Sequence, residues 1–410
     1  MLAPSGRALG LTTRGRCLLA GGLATVACAV LLNERDLLRV GAFVALLPAL
    51  AALLVRYTHR AVQVRRTLTP TRLPVDGSAG VELQVRGGAL AGVLRLSDTV
   101  PDAAGPVPQS PPRFVVHRIP RRDGVRLRYP LRPTLRGVHR IGPLRALACD
   151  PLGLAELTRE VAGADRLVVL PRVVGLHGLP AAFGGGERTA GAALAHQGRG
   201  SSDVLVRPYR HGDELRRVHW RSTARHDELM VRLEERPWRG GTTVLLDRRD
   251  CAHAGHGADS TLELAVSLAA SICMHLIGRG DPVTLVTSDG VELAGPRTPG
   301  GTEALLDALA ALRPSAQRDL VGPAPQPATD LIAVLGALGP HDVPALLTQH
   351  TPGHAVLLGA AGSVDPGSAA ELDQAAALRR AGWRVAVPGA NATPESVWTE
   401  LVPADAGAAR

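Results

Sequence analysis

The densest run of chemically capable side chains lies between Val206 and Arg232, where arginine, histidine and aspartate alternate with a few apolar residues. Three readings compete for such a run: a structural knot, a docking surface, or a catalytic site. The structural reading ranks first, with Asp213 capping a short helix, Leu215 and Val218 facing inward, Trp220 in a core, and the arginines paired with nearby acids. Docking ranks second and catalysis last. His211, His219 and His226 recur at spacings of eight and seven, unlike the close pairs of zinc-binding helices. For an enzyme, Asp213, His219 and Asp247 are the acid and base groups to try first, and they would have to converge in one cleft.

A second cluster follows an apolar strand signal: Asp247, Arg248, Arg249 and Asp250, with Asp289 further along. In an open α/β sheet, Asp247 and Asp289 stand at the carboxyl ends of adjacent strands, where the ligand crevice lies. Asp247, Arg248, Arg249, Asp250 and Asp289 are therefore the candidate interaction rim. His253 and His256, near Asp250 and Asp259, lie in a Gly-rich stretch that reads as a mobile surface loop rather than a metal site. Neither a G-x-x-x-x-G-K-[ST] phosphate loop nor a G-x-S-x-G nucleophile elbow occurs in the sequence, which disfavours ATP hydrolysis and serine esterase chemistry. The reading assigns no catalytic residue, metal or cofactor and takes the chain as not an enzyme.

The elements that must position these residues fall into three classes: a transmembrane helical hairpin, an all-β region and an α/β region. From about Gly241, short apolar strands alternate with amphipathic helices, as a doubly wound sheet requires. The strands are Thr242–Leu246, Pro282–Thr287, Leu331–Leu335, Ala355–Leu358 and Arg384–Val387. The helices are Ser260–Ile277, Thr302–Leu312, Asp342–Gln349, Ala369–Ala381 and Pro394–Leu401. Ser260 and Glu263 carry a capping-box signature, and Leu262, Val266, Ala269 and Cys273 line one face. Residues from about Thr67 to Arg172 alternate as strands, clearest at Val81, Leu83 and Val85 and at Val125, Leu127, Tyr129 and Leu131. A β-sandwich is the expected architecture. Pro101–Pro112 reads as a loop and Gly178–Ser202 as a mobile linker.

Two uncharged apolar runs of sixteen residues each, Cys17–Leu32 and Val40–Val55, flank the polar stretch Asn33–Arg39. Each gives about 24 Å of helix, short of a hydrocarbon core of about 30 Å, so flanking residues must help or the bilayer must thin. Arg7, Arg14 and Arg16 precede the first run, and Arg56, Arg60, Arg65 and Arg66 follow the second. The positive-inside rule then places both ends in the cytoplasm. A secretory signal also combines a basic start with an apolar core, but no small-residue cleavage site precedes Asn33 and a second apolar run follows at once. The expected location is the inner, cytoplasmic membrane, multi-pass, with the soluble domains cytoplasmic. The domains are 1–60 hairpin, 61–177 β-sandwich, 178–240 linker and motif segment, and 241–410 α/β domain.

With 410 residues and 45% apolar content, the chain can bury more than one core. All 46 basic residues are arginine and the formal charge is +9. That charge could hold nucleic acid or anionic lipid head groups, with affinity falling steeply with salt. The arginines are spread along the whole chain, which argues against nucleic acid. Five scattered cysteines without a C-x-x-C pair fit a reduced compartment.

The run described first resembles the hallmark of the bacterial domain of unknown function 58 family, R-x-Y-x-x-G-D-x-x-R-x-I/V-x-W-x-x-x-A-R. Arg207, Tyr209, Gly212, Asp213, Arg216 or Arg217, Val218, Trp220, Ala224 and Arg225 meet that pattern. Arg136-Gly137, Gly142-Pro143 and the run from Asp150 to Leu154 are also similar to the family's approach to the motif. The resemblance implies a membrane-tethered protein-binding partner of a MoxR-type AAA+ ATPase, with a C-terminal von Willebrand factor A-like domain. Such domains can hold Mg²⁺ through D-x-S-x-S after the first strand, where hard oxygen ligands suit a hard cation. Here the stretch reads Asp247-Arg248-Arg249-Asp250-Cys251, with both serine positions lost. The expectation is an arginine in the metal's place.

Overall fold

The computed structural model describes residues 8–60, 62–87, 92–100, 112–120, 124–180, 206–208, 230–232, 241–296, 298–321, 330–349, 352–359, 369–389 and 391–402. Most of the expected Pro101–Pro112 loop and of the Gly178–Ser202 linker lies outside these residues. By its internal contacts the chain divides into two compact units, one built on Met1–Arg172 and the other on most of Val173–Arg410.

The first unit opens with β1 (Ala8–Leu11), then α1 (Thr13–Leu32) and α2 (Arg35–Arg60). Both helices are long and apolar enough to cross a membrane. Leu23, Leu31, Phe43 and Leu46 are exposed on them, an apolar surface that water does not favour. The polar stretch from Asn33 to Arg39 was expected as a loop, but the turn is only Asn33 and Glu34. Asn33 adopts φ 55°, a left-handed conformation that Asn tolerates, and its N–H bonds back to Ala29 and Val30, so α2 can start at once. Small residues let the helices meet closely. A Cβ on Gly22 would stand 2.6 Å from the Ala45 backbone nitrogen, and one on Gly41 2.9 Å from that of Val26.

Ten strands follow in the first unit: β2 (Gln63–Thr69), β3 (Arg72–Pro74), β4 (Ala79–Arg86), β5 (Val93–Asp98), β6 (Arg113–Val116), β7 (Val125–Leu131), β8 (Gly137–Ile141), β9 (Leu144–Cys149), β10 (Ala155–Ala162) and β11 (Asp165–Leu170). They form three sheets, ordered β1-β10-β9-β5-β6, β2-β4-β7 and β3-β11-β8. The period-two expectation holds in β4 and β7, where Val81, Leu83 and Val85 pair with Tyr129, Leu127 and Val125 and turn inward. β1 was not anticipated. It precedes α1 and pairs antiparallel with β10, Leu9 opposite Leu157.

One apolar core takes in residues of all three sheets, together with Ala51 and Val55 from α2. Through it runs a buried ion network. Arg66 donates to Asp98 through Nη2 (2.6 Å) and Nε (3.0 Å). Its Nη1 reaches the Ile141 and Gly163 carbonyls (2.9 and 2.7 Å) and Asp165 (3.0 Å). Tyr129 donates its hydroxyl to Asp98 at 2.6 Å. Burial would lower the Arg66 pKa, but Asp98 and Asp165 outweigh it and hold the guanidinium above its ordinary value. Arg66, counted among the arginines that follow the second apolar run, is a buried pin between sheets. Gly142 makes room for it, since a Cβ there would lie 2.8 Å from its Nη1.

The second unit contains a two-stranded ribbon, β12 (Val206–Pro208) with β13 (Met230–Arg232), antiparallel with Arg207 opposite Val231. Its main sheet and helices are β14 (Thr242–Leu246), α3 (Thr261–Gly278), β15 (Val283–Thr287), β16 (Glu292–Ala294), α4 (Gly301–Ala311, of which Leu306 onward groups with the first unit), β17 (Asp330–Leu335), α5 (Asp342–Gln349), β18 (His354–Leu357), α6 (Ala369–Arg380), β19 (Arg384–Ala386) and α7 (Pro394–Leu401). The order is β16-β15-β14-β17-β18-β19, parallel throughout except for β16. The short edge strand β16 was missed, although Asp289-Gly290 before it is a hairpin signal. Ser260 caps α3 by accepting from the Glu263 N–H. α3 is also long and apolar enough for a span, but most of it is buried.

Candidate functional site

β14 is buried along its length, two threonines followed by Val244, Leu245 and Leu246, as a central parallel strand must be. The chain runs outward from it to β15 and β16, then returns to its other side as β17. That reversal is a topological switch point, and Asp247 is the first residue beyond β14 there. Its N–H bonds the Val334 carbonyl at 2.8 Å, and its side chain is 0% exposed.

The cation facing Asp247 is Arg249. Arg249 donates from Nη2 to Asp247 Oδ2 at 2.8 Å and from Nε to Oδ1 at 3.0 Å, and its own N–H adds a 3.0 Å bond to Oδ1. Nη1 reaches Asp342 Oδ2 at 2.8 Å and the Arg318 carbonyl at 2.9 Å. Asp342 also accepts from Gly339 N (2.7 Å), and Asp247 from Gly336 N (3.3 Å). Burial would depress the Arg249 pKa, but the two carboxylates prevail and hold it above its ordinary value. The result is a closed clasp in which one planar fork satisfies two buried acids.

Arg248 turns the other way. It donates from Nε to Asp289 Oδ1 at 3.0 Å and forms a second, shorter bond from Nη2 to Oδ2. The Arg248 hydrogen bond holds the Asp289 carboxyl down at about 2, against the opposing effect of burial. Asp247 and Asp289 thus end adjacent strands as expected, yet each is engaged by a different arginine. Asp250 is exposed and starts a short 3-10 turn whose N–H bonds the Ser315 carbonyl at 2.8 Å.

The residues do not fit a divalent cation. Both Asp247 oxygens face N–H donors, and Arg249 stands at the first serine position of D-x-S-x-S with Cys251 at the second. Among the described residues no group of three or more His, Cys, Asp or Glu is placed to hold a metal ion.

Of the two histidines read as lying in a surface loop, His256 is exposed, whereas His253 is held in place. The His253 ring lies 2.9 Å from the Asp247 carbonyl through Nε2 and 3.1 Å from Thr261 Oγ1 through Nδ1. Burial lowers its pKa, against the pull of Asp247. It is a strut under the clasp. Arg207 lies on β12, while Tyr209, Gly212, Asp213, Arg217, Trp220, Ala224 and Arg225, with His211, His219 and His226, lie outside the described residues. Asp342 was missed as a site residue because it reads only as the first residue of a helix, 93 positions from Arg249.

These features define a two-unit protein: an apolar helical pair with three sheets, and an α/β unit whose switch point is closed by an arginine. Residues 205–344 match the family described as "Protein of unknown function DUF58", which supports the resemblance read from the motif. The match contains Asp247, Arg249 and Asp342. No curated protein matches the sequence. Among solved structures, a CARDB domain from Pyrococcus furiosus in complex with di-metal ions is 17% identical, covering 27% of this chain and 90% of that one, with a TM-score of 0.19. A superoxide reductase from Ignicoccus hospitalis is 14% identical over 26% of this chain and 79% of that one, TM-score 0.16. The alkylpurine DNA glycosylase AlkC of Pseudomonas fluorescens is 12% identical over 33% of this chain and 39% of that one, TM-score 0.17. Likenesses this slight carry no argument.

Proposed function

We propose that this chain is a membrane-anchored adaptor without catalytic activity, whose α/β unit binds a cytoplasmic protein partner. The observation that carries the reading is the clasp. Arg249 fills the switch-point crevice, where an α/β protein ordinarily takes a small ligand, and leaves the outer surface of the unit as the means of recognition. Asp247 is committed to Arg249, which weakens the alternative of an enzyme using that acid.

In this reading α1 and α2 cross the inner membrane as a hairpin. β1 leads into α1 and β2 follows α2, both within the same sheet-built unit, so both ends of the pair belong on one side. The arginines near those ends then favour the cytoplasmic side. The three sheets are read as a β-sandwich variant, and the strand order with its single antiparallel edge as a von Willebrand factor A-like domain. The partner implied by the family resemblance is a MoxR-type AAA+ ATPase. The alternative, polyanion binding by the arginine-rich segment Arg207–Arg239, falls almost wholly outside the described residues and gains nothing from Arg66, Arg248 and Arg249, which are committed to carboxylates.

Crosslinking in intact membranes, followed by affinity purification of the full chain, tests the proposal. Enrichment of an AAA+ ATPase over a control membrane protein is expected. Recovery of the chain without any protein partner counts against it.

A further inference from the structure

We propose that the turn between β9 and β10, Asp150 to Leu154, is a lipid-contacting element, with Leu152 at its tip and Leu9 of the adjoining strand β1 entering the interfacial layer of the membrane. This rests on the membrane reading above and extends it from the helices to the sheet that carries them.

The turn is built to lose water. The Asp150 carboxylate accepts from the N–H groups of Leu152 (2.9 Å), Leu154 (2.7 Å) and Ala155 (2.6 Å), and Gly153 N–H bonds the Asp150 carbonyl at 3.0 Å. The backbone donors at the tip are therefore satisfied internally, which entry into an apolar layer requires. Leu152 is nevertheless 62% exposed and Leu9 45% exposed.

The turn is also fastened to the start of α1. Thr12 donates its N–H to the Leu154 carbonyl at 3.0 Å and its hydroxyl to the Gly153 carbonyl at 2.6 Å. The first turn of the helix lies so close that a Cβ on Gly15 would stand 2.0 Å from Leu154 O. The turn that carries Leu152 is thus fixed at the start of α1, whose first turn also carries the exposed Arg14 and Arg16, long side chains that can reach phosphates while their stems lie in apolar surroundings.

The depth of the sheet agrees. Ala51 and Val55 of α2 are buried in the core of the β unit, so protein covers α2 from about 9 Å before Tyr57. The interfacial layer is only about 5–7 Å thick on each side, so the sheet's near edge overlaps it.

The test uses the full chain in phosphatidylcholine–phosphatidylglycerol vesicles. Cys17, Cys28, Cys149, Cys251 and Cys273 are replaced by alanine, and single spin labels are placed at L152C, L9C, F43C and V115C. Val115, on the opposite edge strand of the same sheet, is the aqueous reference, and Phe43 the reference inside a span. Collision with a water-soluble nickel chelate is expected to be several-fold lower at L152C and L9C than at V115C, with oxygen collision raised. Nickel access at L152C equal to that at V115C, with F43C still shielded, overturns the proposal and leaves the anchor intact. Nickel access at F43C overturns both. In the native-cysteine background Leu152→Trp gives a second reading: added quenching by lipids brominated on their chains is expected, and its absence overturns the proposal.

Discussion

Arg249 lies two residues after Asp247 and turns back on it, closing a two-pronged pair at 2.8 and 3.0 Å, while its remaining nitrogen holds Asp342 at 2.8 Å. The acid that ends the central strand is thereby neutralised from within the chain.

Removing that cation leaves two buried carboxylates facing each other. Arg249→Ala is expected to destabilise the α/β unit by about 3–5 kcal/mol, and Arg249→Lys by less, because a lysine keeps the charge but loses the fork. Urea unfolding of the full chain in detergent, followed by the fluorescence of the buried Trp383 and Trp398, measures both. An Arg249→Ala midpoint equal to wild type would show that the clasp holds nothing.

The same geometry predicts no divalent binding at Asp247. Equilibrium dialysis of the wild-type chain against Mn²⁺ should give no uptake that Asp247→Asn abolishes. Stoichiometric, Asp247-dependent uptake sinks the assignment of Arg249 as the resident cation.

In the β unit, Arg66→Ala is expected to cost about 3–5 kcal/mol, since it strands Asp98 in the core. Tyr129→Phe removes one donor to the same carboxylate and should cost about 2 kcal/mol. If the two variants prove equally mild, the network is not the pin between sheets.

His253 gives a pH dependence of known sign. Its folded pKa lies below the ordinary 6.5, so the unfolded chain takes up a proton first as the pH falls. The contribution to stability is complete above about pH 6.5 and is lost as the pH drops through and below that value. Urea midpoints between about pH 7.5 and 5.5 should fall more steeply for wild type than for His253→Gln. Parallel slopes contradict the buried strut.

At the helix–sheet joint, Gly15→Ala places a methyl group against the Leu154 carbonyl. α1 must then withdraw, and the Thr12 and Leu154 pairing with it. Hydrogen exchange should show lost protection at Thr12 and along β1, while β4 and β7 stay protected. Unchanged exchange at Thr12 would mean that the close approach is dispensable.

Much of the architecture was written in local pattern. Runs of uncharged apolar residues marked α1 and α2, because a helix in lipid needs little beyond length and hydropathy. Alternation marked β4 and β7, where one face is buried and the other wet. Buried strands followed by amphipathic helices located β14, β15, β17, β18 and β19. Short or edge elements were missed: β1 and β16 have three or four residues and too few alternations to rise above their surroundings.

By itself the sequence determined the succession of elements, because each depends on neighbours one to four positions away along the chain. It also singled out Asp247, Arg248, Arg249, Asp250 and Asp289, because charges directly after an apolar strand stand at a sheet's rim. Only the tertiary structure decided what those charges do. That Arg249 turns inward and Arg248 outward, that Asp342 completes the clasp from 93 residues away, and that Arg66 is buried against Asp98 all depend on which distant segments share a low-dielectric space. Coulomb attraction and desolvation act through that space, and spacing along the chain does not encode it.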